Sequence, residues 1–440
     1  MTAPLFDKSE FVSEPTAAAE PVEKGQPRLR LAVRDQIVMH WEAVDDLIPE
    51  DHRARMVWAY VEGLDLSPLL EKFEAVEGAV GRAGTDPRIL LTLWLYATIE
   101  GVGNARELDR LCELHAAYKW ICGGVSLNYH TLSDFRVQHE TFLDELLTRS
   151  VAALLKSGVV ELKRVAQDGL RVRASAGSSS FRRRPTLERL LQEARQQVEA
   201  LKAELEGDRA AAHQRQKAAR QRAAEERAKR VEEALEELAK IEAKKPAGKV
   251  QEARASTTDP QARRMKMACG GFRPAYNLQL VTDTATQIVV GVDLINVGSD
   301  KGQMRPMHEQ LQKRYGRTPQ EQLADGDFMV VEDIEHLEKL GTTVYTPPRK
   351  RPGSQEDPPP PVRGESAVLQ KWRQRMADPI GKLIYRQRAA SIECVNAQAR
   401  NHGLQHFPVR GPAKAKVIGL WHALAHNLMR IFRLSPSFAK

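Results

Sequence analysis

VAQDGLRVRA, residues 165–174, is the stretch on which the fold of this 440-residue chain depends. Its second half alternates apolar residues with arginine, which predicts a β-strand, and we expect that strand to extend from residue 159 to residue 174. Asp168 falls on its apolar face, where a carboxylate costs free energy unless it is paired or binds a metal ion. The alternative is that Asp168 and Gly169 form a turn at the end of a strand, because Asp-Gly is a strong turn signal.

A second acidic residue follows a short apolar segment, LADGDF at residues 323–328. The segment predicts a strand over residues 322–325 with Asp325 at its carboxyl end. Asp327 lies two residues further on and is the alternative to Asp325. We prefer Asp325 because it comes directly after the apolar strand residues Leu323 and Ala324.

A third carboxylate, Glu393, lies in YRQRAASIECVNAQAR, residues 385–400, which predicts a helix. At about 100° per residue, Glu393 shares one face, roughly 140° wide, with four residues: Tyr385, Arg388, Asn396 and Arg400. The same pattern is typical of a solvated helix surface with local ion pairs. Three carboxylates from two strands and a helix favour a metal site instead. Mg²⁺ prefers oxygen ligands, and two ions ~4 Å apart can hold the attacking and leaving oxygens of a phosphodiester.

Helical segments precede the first strand. Residues 28–158 show helical periodicity, with helix starts at Asp86-Pro87 and Asn104, and HTLSDFR at 130–136 is expected to enter one long helix ending at Lys156. Short helices separated by glycine fit either a helix-turn-helix-like DNA-binding domain or a helical scaffold. Residues 1–27 contain few large apolar groups and predict a disordered tail.

A change of composition marks residues 181–250, where Ala, Glu, Arg, Gln and Lys dominate. Apolar residues there alternate spacings of four and three, which predicts a coiled-coil helical hairpin with its turn at Gly207-Asp208. The predicted seam consists of Leu187, Leu191, Ala194, Val198, Leu201, Leu205, Ala224, Ala228, Val231, Leu235 and Leu238. The arginines at 182–184 and the basic tract over 215–230 fit contacts with DNA phosphates or a solvated charged surface.

The remaining segments alternate strands and helices, so the fold class is mixed α+β or α/β. We expect strands at 276–282, 288–294 and 343–346, and helices at 304–315, from 325 to 340 and at 416–432. Residues 347–364 predict a Pro-rich loop. Residues 159–180 and 251–440 would then form one sheet-containing domain that the hairpin interrupts.

Composition narrows the possible partners. A formal net charge of +8 and a pI near 9.2 favour a polyanionic partner. Four scattered cysteines, the absence of a secretory signal and the lack of a membrane-length apolar run predict a cytoplasmic protein. No phosphate-binding glycine loop is present, so we expect no nucleotide cofactor. The pairs His402/His406 and His422/His426 have zinc-binding spacing, but buried hydrogen bonds explain the second pair better.

Taken together, these motifs resemble bacterial insertion-sequence transposases of the DDE class, in the IS-four/IS-five-like group with a tyrosine–arginine–glutamate–lysine signature. The resemblance runs from about Leu47 to Arg433 and rests on seven stretches: DPRILLTLWLYA, HTLSDFR, QDGLRVRASA, TTDPQARRMKMACGGFRPAYNLQLVTD, LADGDF, YRQRAASIE and LWHALAHNLMRI. It implies an RNase H-like core in which the first strand and the fourth lie side by side, so that Asp168 comes near Asp325.

The resemblance also implies a function and a set of site residues. Asp168, Asp325 and Glu393 would bind two Mg²⁺ (or Mn²⁺) ions for cleavage and transfer of DNA strands. Further residues would contact DNA: Tyr385, Arg388, Arg400, Asn396, Arg171 and Arg173. The partners would be double-stranded DNA at the element ends and the target, and a second copy of the chain.

Three positions depart from the family pattern. Arg400 stands where the family usually has lysine, and Asp327 replaces a glycine of the second-aspartate motif. The spacing from Arg388 to Glu393 is one residue longer than usual. Two other functions fit the sequence less well: a catalytically inactive DNA-binding relative, and a structural coiled-coil protein.

Overall fold

The computed structural model describes residues 37, 41–71, 84–207, 211–349 and 364–434. The chain divides into two compact units, Met1–Ala43 and Val44–Lys440, and the following concerns the second. The predicted tail at 1–27, most of the Pro-rich loop at 347–364 and Asp208 of the predicted hairpin turn lie outside the described residues.

The strands and helices have the following bounds. The described strands are β1 Arg164–Arg173, β2 Phe181–Arg182, β3 Ala255–Ser256, β4 Arg263–Lys266, β5 Phe272–Asp283, β6 Val289–Ile295, β7 Glu321–Ala324 and β8 Thr343–Tyr345. The described helices are α1 Arg53–Glu62, α2 Ser67–Leu70, α3 Pro87–Ile99, α4 Ala105–Leu114, α5 Ala116–Cys122, α6 Tyr129–Gln138, α7 Glu140–Lys156, α8 Arg184–Gly207, α9 Ala211–Ala243, α10 Met304–Tyr315, α11 Val331–Lys339, α12 Ala367–Ala377, α13 Pro379–Arg388, α14 Cys394–Asn401 and α15 Pro412–Leu434.

Strand β1 lies inside a mixed sheet of order β4-β5-β1-β7-β8, in which β6 also pairs with β5. It is antiparallel to β5 and parallel to β7. The strands predicted around Asp168 and before Asp325, here β1 and β7, are therefore neighbours, as expected. The strand begins at Arg164 instead of residue 159, because Leu162 has a φ of 52° that an extended strand does not allow.

The helices before β1 begin largely where their capping residues predict. Asp86 accepts a hydrogen bond from the backbone N–H of Arg88, and Pro87 is the first residue of α3. The prediction of one long helix from HTLSDFR to Lys156 was wrong. His139 leaves the helical conformation with a ψ of 46°, so the segment forms two helices, α6 and α7.

These helices share one apolar core with the sheet, because α3, α6 and α7 all pack against the C-terminal helix α15. Two buried tryptophans connect the helices: Trp94 donates to the carbonyl of Leu132, and Trp421 donates to the carbonyl of Arg136. Within the described part of the chain, no helix is long and apolar enough to cross a membrane.

Helices α8 and α9 form an antiparallel hairpin between β2 and β3. Ion pairs join Arg184 to Glu242 and Arg195 to Glu232. The predicted seam is confirmed where side chains are described: Leu187, Ala194, Val198, Ala224, Val231 and Leu238 are buried, and Leu191, Leu201, Ala228 and Leu235 are half-buried.

Candidate active site

The pairing of β1 with β7 brings two of the predicted carboxylates together at the carboxyl end of β7, inside the sheet. In the parallel register Gln167 lies opposite Ala324, and the residues that directly follow these two are Asp168 and Asp325. The Asp168 side chain is 22% exposed and that of Asp325 is 51% exposed. One carboxylate is therefore set into the protein, and the other lies at its surface.

The third carboxylate arrives on a helix with an unusual turn. Residues Ala389–Glu393 form a π-helical turn between α13 and α14, packed against β1 and β5. Side chains compete there for the helix carbonyls: Ser391 donates to the carbonyls of Gln387 and Arg388, and Gln287 donates to the carbonyl of Ala390. Such side-chain hydrogen bonds replace bonds of the regular helical ladder.

The π-helical turn accounts for the extra residue between Arg388 and Glu393. On a regular α-helix, residues five apart are separated by about 140° and do not face each other. Hydrogen bonding between residues five apart takes up one additional residue. Here the Arg388 guanidinium donates to Glu393 Oε1 over 2.7 Å, so the longer spacing still brings the two side chains together.

Arg388 is the point at which the three carboxylates meet. Besides Glu393, its guanidinium lies 3.8 Å from Asp168 Oδ2 and 4.0 Å from Asp325 Oδ2. The Arg388 side chain is only 11% exposed, and one of its buried terminal nitrogens has no hydrogen-bond partner. Three carboxylates therefore share one cation, which leaves an excess of negative charge.

The surroundings shift the pKa values of both central groups. Burial opposes the charge of Arg388, but Tyr385 and the three carboxylates outweigh it and raise its pKa. Burial raises the pKa of Asp168 to about 6, against the opposing effects of Arg388 and the backbone N–H of Gly169. Asp168 is thus held close to the balance between its charged and neutral forms.

Asn396 is buried beside Asp168. It is 3% exposed and donates from Nδ2 to Asp168 Oδ2 over 2.8 Å. The Asn396 amide thus holds one oxygen of the Asp168 carboxylate, and its contact with DNA stays a prediction.

On the other face of β1 lies a buried polar group that sequence analysis missed. Asp300, 6% exposed, accepts from Asn277 over 2.6 Å and from Gln279 over 2.8 Å. It lies so close to Gly169 that a Cβ atom there would be 2.1 Å from Asp300 Oδ1. A glycine inside a strand is a signal for such close approach, and it was present in the sequence.

The remaining predicted residues lie at varied distances from the carboxylates. Arg171 is on the opposite face of β1, 3.5 Å from Asp300 and hydrogen-bonded to the carbonyl of Lys266, so it does not face Asp168. Arg173 and Arg400 are exposed, at the ends of β1 and α14. Asp327 is exposed in a short 3₁₀-helix, Gly326–Phe328.

The three carboxylates fit a divalent ion in chemistry and in direction. All their donor atoms are oxygens, which Mg²⁺ prefers, and all converge on one buried cation. Among the described residues, no three His, Cys, Asp or Glu side chains are grouped closely enough to share an ion as they stand. The side chains of Asp325 and Glu393 are each 51% exposed.

His426 of the second histidine pair and the neighbouring Asn427 make buried hydrogen bonds, as the sequence indicated. His426 Nε2 lies 2.8 Å from the carbonyl of Gln287. The amide of Asn427 bonds both the N–H and the carbonyl of Val289. These bonds join α15 to β6 and satisfy buried polar groups.

Comparison with known proteins gives two family matches. The family described as "Transposase DDE domain" matches residues 248–428, which include Asp325 and Glu393. The family described as "Transposase domain (DUF772)" matches residues 42–138 of the N-terminal helical region. Searches of the curated proteins and of the solved structures found no match. With a transposase domain on each side of the helical hairpin, the chain belongs to the DDE transposases of insertion sequences.

Proposed function

We propose that this protein binds the terminal inverted repeats of its insertion sequence and catalyses metal-dependent cleavage and transfer of DNA strands. The observation that carries the proposal is the meeting of Asp168, Asp325 and Glu393 at Arg388, from two adjacent strands and one helix. Carboxylates in excess of their neighbouring cation suit the binding of metal ions. The net positive charge of the whole chain suits a polyanionic substrate.

The arrangement of the sheet supports an RNase H-like core. Its central strand β1 is parallel to β7 and antiparallel to β5, and β8 continues the parallel side. The hairpin of α8 and α9 interrupts the sheet-forming part of the chain after β1, as an element inserted into such a core would. The signature residues Tyr385, Arg388 and Glu393 favour the IS-four/IS-five-like group.

In this proposal Asp168, Asp325 and Glu393 hold two Mg²⁺ (or Mn²⁺) ions, which when bound supply Lewis-acid activation of the attacking and leaving oxygens. Asn396 keeps Asp168 turned towards the other carboxylates. Arg388 holds the carboxylates together before DNA binds and then turns its guanidinium to a phosphate beside the cut. Water would cleave the strand and leave a 3′-OH, which then attacks a phosphodiester of the target and displaces its 3′ oxygen.

DNA contact is proposed for four members of the predicted set. Tyr385 and Arg388 are partly buried beside the carboxylates, whereas Arg173 and Arg400 are exposed and are the simplest phosphate contacts. We further propose that the chain acts as a homodimer with one subunit at each element end, and that it works in the cytoplasm, on nucleoid DNA.

The test is Mg²⁺-dependent nicking of a labelled duplex that carries the element's own terminal sequences. Asp168→Asn, Asp325→Asn and Glu393→Gln should each lower the cleavage rate by about 10²–10³-fold or more and keep DNA binding. Asp327→Asn is the matched control, because this exposed carboxylate lies two residues from Asp325, and its rate should stay within about threefold of wild type. Loss of cutting in Asp327→Asn with Asp325→Asn unaffected would show that the second ligand is misassigned.

A second candidate function is an inactive DNA-binding relative. The observation that favours it is the Arg388 guanidinium among the carboxylates, where it neutralises charge that a metal ion would otherwise attract. Specific binding of the terminal repeats by wild-type protein, with no cutting in Mg²⁺ or Mn²⁺, would establish this second function.

A further inference from the structure

A separate cavity of about 460 Å³ lies where α3, α4 and α6 meet the end of α14 and the start of α15. None of the described residues that line it is an aspartate or glutamate, whereas two arginines, Arg106 and Arg136, are present. Three aromatic rings also line it: Trp94, Tyr129 and Trp421. The cavity therefore combines positive charge with aromatic walls.

Arg136 is the unusual residue of this cavity. It is 6% exposed, its guanidinium lies 4.9 Å above the Trp94 ring, and it donates to the carbonyl of Gly103. Its buried Nε–H has no hydrogen-bond partner. Burial lowers the pKa of Arg136 to about 10, which leaves the guanidinium charged at neutral pH. Burying a cation costs free energy, and an anion in the cavity beside the guanidinium would offset part of that cost.

The start of α4 adds a second, independent attraction for an anion. Asn104 caps this ten-residue helix by accepting from the N–H of Arg106, and the first turn lines the cavity. Helix N-termini favour negative charge because the backbone dipoles align there. The Arg106 guanidinium lies 4.9 Å from the Tyr129 ring, at the exposed side of the cavity.

We propose that this cavity binds a nucleotide unit, with its phosphate at Arg136, Arg106 and the start of α4, and its base among the aromatic side chains. Arginine forms paired hydrogen bonds with phosphate, and bases stack on aromatic rings. The volume falls within the usual range for small-molecule sites of roughly 300–1,000 Å³ and far exceeds that of a phosphate ion.

The cavity lies within reach of a DNA strand held at the carboxylates. Its wall includes His402, the residue that directly follows α14, and Glu393 directly precedes that helix. Nine residues at 1.5 Å each separate the two residues by about 14 Å along the helix. A free nucleotide and an unpaired nucleotide of DNA share the same recognition chemistry. The second source rests on the proposed function, and the first does not.

The experiment measures binding of 5′-deoxyadenosine monophosphate to the full chain. Two of its six tryptophans, Trp94 and Trp421, line the cavity, so tryptophan fluorescence reports occupancy, and calorimetry gives the dissociation constant. Arg106→Gln should weaken binding by about tenfold or more, because a hydrogen bond to a charged group contributes about 1.5–3 kcal/mol. Deoxyadenosine without phosphate should bind about tenfold more weakly than the nucleotide.

Arg110→Gln is the matched control. Arg110 lies on the same helix and is exposed, but it pairs with Glu107 and does not line the cavity. It should change the dissociation constant by less than about twofold. Arg136→Lys keeps the buried charge and alters its hydrogen bonding, so it should also weaken binding; a change in its melting temperature would mark a folding effect, and Arg106→Gln then decides.

Three outcomes would overturn the inference: no response to the nucleotide up to about 10 mM, equal binding of deoxyadenosine, or equal weakening by Arg110→Gln. A 5′-phosphorylated tetranucleotide distinguishes the sources. Tighter binding than the mononucleotide, lost in Arg106→Gln, assigns the site to a DNA strand, and equal or weaker binding assigns it to a free nucleotide. Nicking by the same preparation keeps the two proposals apart, because cutting without nucleotide binding removes only this inference.

Discussion

The two faces of strand β1 carry carboxylates in opposite situations. Asp300 lies against one face, where both of its oxygens accept hydrogen bonds, from Asn277, Gln279 and Arg171. Asp168 lies on the other face, where its oxygens also accept hydrogen bonds, from the Gly169 N–H and from Asn396. Its arginine, 3.8 Å away, is shared with two more carboxylates, whereas Asp300 lies beside Arg171.

The two carboxylates thus differ in the number of carboxylates that share their cation. Both carboxylates are largely inside the protein. Asp300 lies against Gly169, which is the residue that follows Asp168 in β1. A buried carboxylate whose charge is matched by a cation and by hydrogen bonds can stabilise the fold. An under-compensated cluster costs stability, which is typical of sites that bind charge.

The largest expected effect on stability comes from adding a side chain at Gly169, against Asp300. Gly169→Ala would place a Cβ atom 2.1 Å from Asp300 Oδ1 and 2.7 Å from Asn277 Oδ1. The buried amide network would have to move, so we expect the free energy of unfolding to fall by about 2–3 kcal/mol. Urea unfolding measures it, and Gly177→Ala, whose nearest neighbour is 3.4 Å away, is the control.

Replacing aspartate by asparagine on the two faces of β1 should change the free energy of unfolding in opposite directions. Asp300→Asn turns an amide NH₂ towards the Arg171 guanidinium and should cost about 1–2 kcal/mol. Asp168→Asn removes a carboxylate whose burial raises its pKa to about 6, and should gain about 1–2 kcal/mol at pH 8 without metal. Thermal unfolding in chelator measures both. Asp327→Asn should change the stability by less than about 0.5 kcal/mol, and a loss of stability in Asp168→Asn would contradict the comparison.

The gain in Asp168→Asn should depend on pH. The ordinary pKa of this group is 3.8, and burial raises it to about 6 in the folded protein. The folded state therefore binds the proton more tightly, so the wild type is relatively most stable below about pH 4 and loses that advantage as the pH rises through 6. The difference between Asp168→Asn and wild type should be full at pH 8 and vanish near pH 4. A difference that does not change with pH would mean that Asp168 is not the group that titrates.

The smallest expected effect concerns the two arginines. Arg171 faces Asp300 on one side of β1, so Arg171→Gln should change the cleavage rate by less than about threefold and leave the salt dependence of DNA binding unchanged. Arg388→Gln, on the side of Asp168, should lower the slope of log K against log salt by about one unit. Binding at several salt concentrations measures both, and a reduced slope in Arg171→Gln would restore it as a phosphate contact.

Local patterns predicted much of this fold. Alternation located β1 and its neighbours, the capping pair Asp86-Pro87 started α3, and the spacing of Leu187, Val231 and Leu238 identified the hairpin seam. These features depend on neighbours within a few residues, so the sequence carries them directly.

Other features depended on distant contacts. The burial of Asn396 follows from its packing against β1, which a face drawn on a regular helix does not contain. Asp300 belongs to a loop, and only the folded sheet brings it to Gly169. For Arg171 the information was present, because residues three apart on a strand point to opposite faces, which places Arg171 and Asp168 on different faces of β1.

The π-helical turn at Ala389–Glu393 also bears on how related chains are aligned. The spacing from Arg388 to Glu393 is one residue longer than in the signature that the sequence resembles. In the folded chain these two side chains still meet at 2.7 Å. A one-residue deletion within Ala389–Ile392 should therefore turn this segment into an ordinary α-helix and leave the facing of α14 in place, whereas the same deletion inside α14 would rotate everything after it by about 100°. Length variation among relatives should then be tolerated at this turn and excluded from the helices on either side.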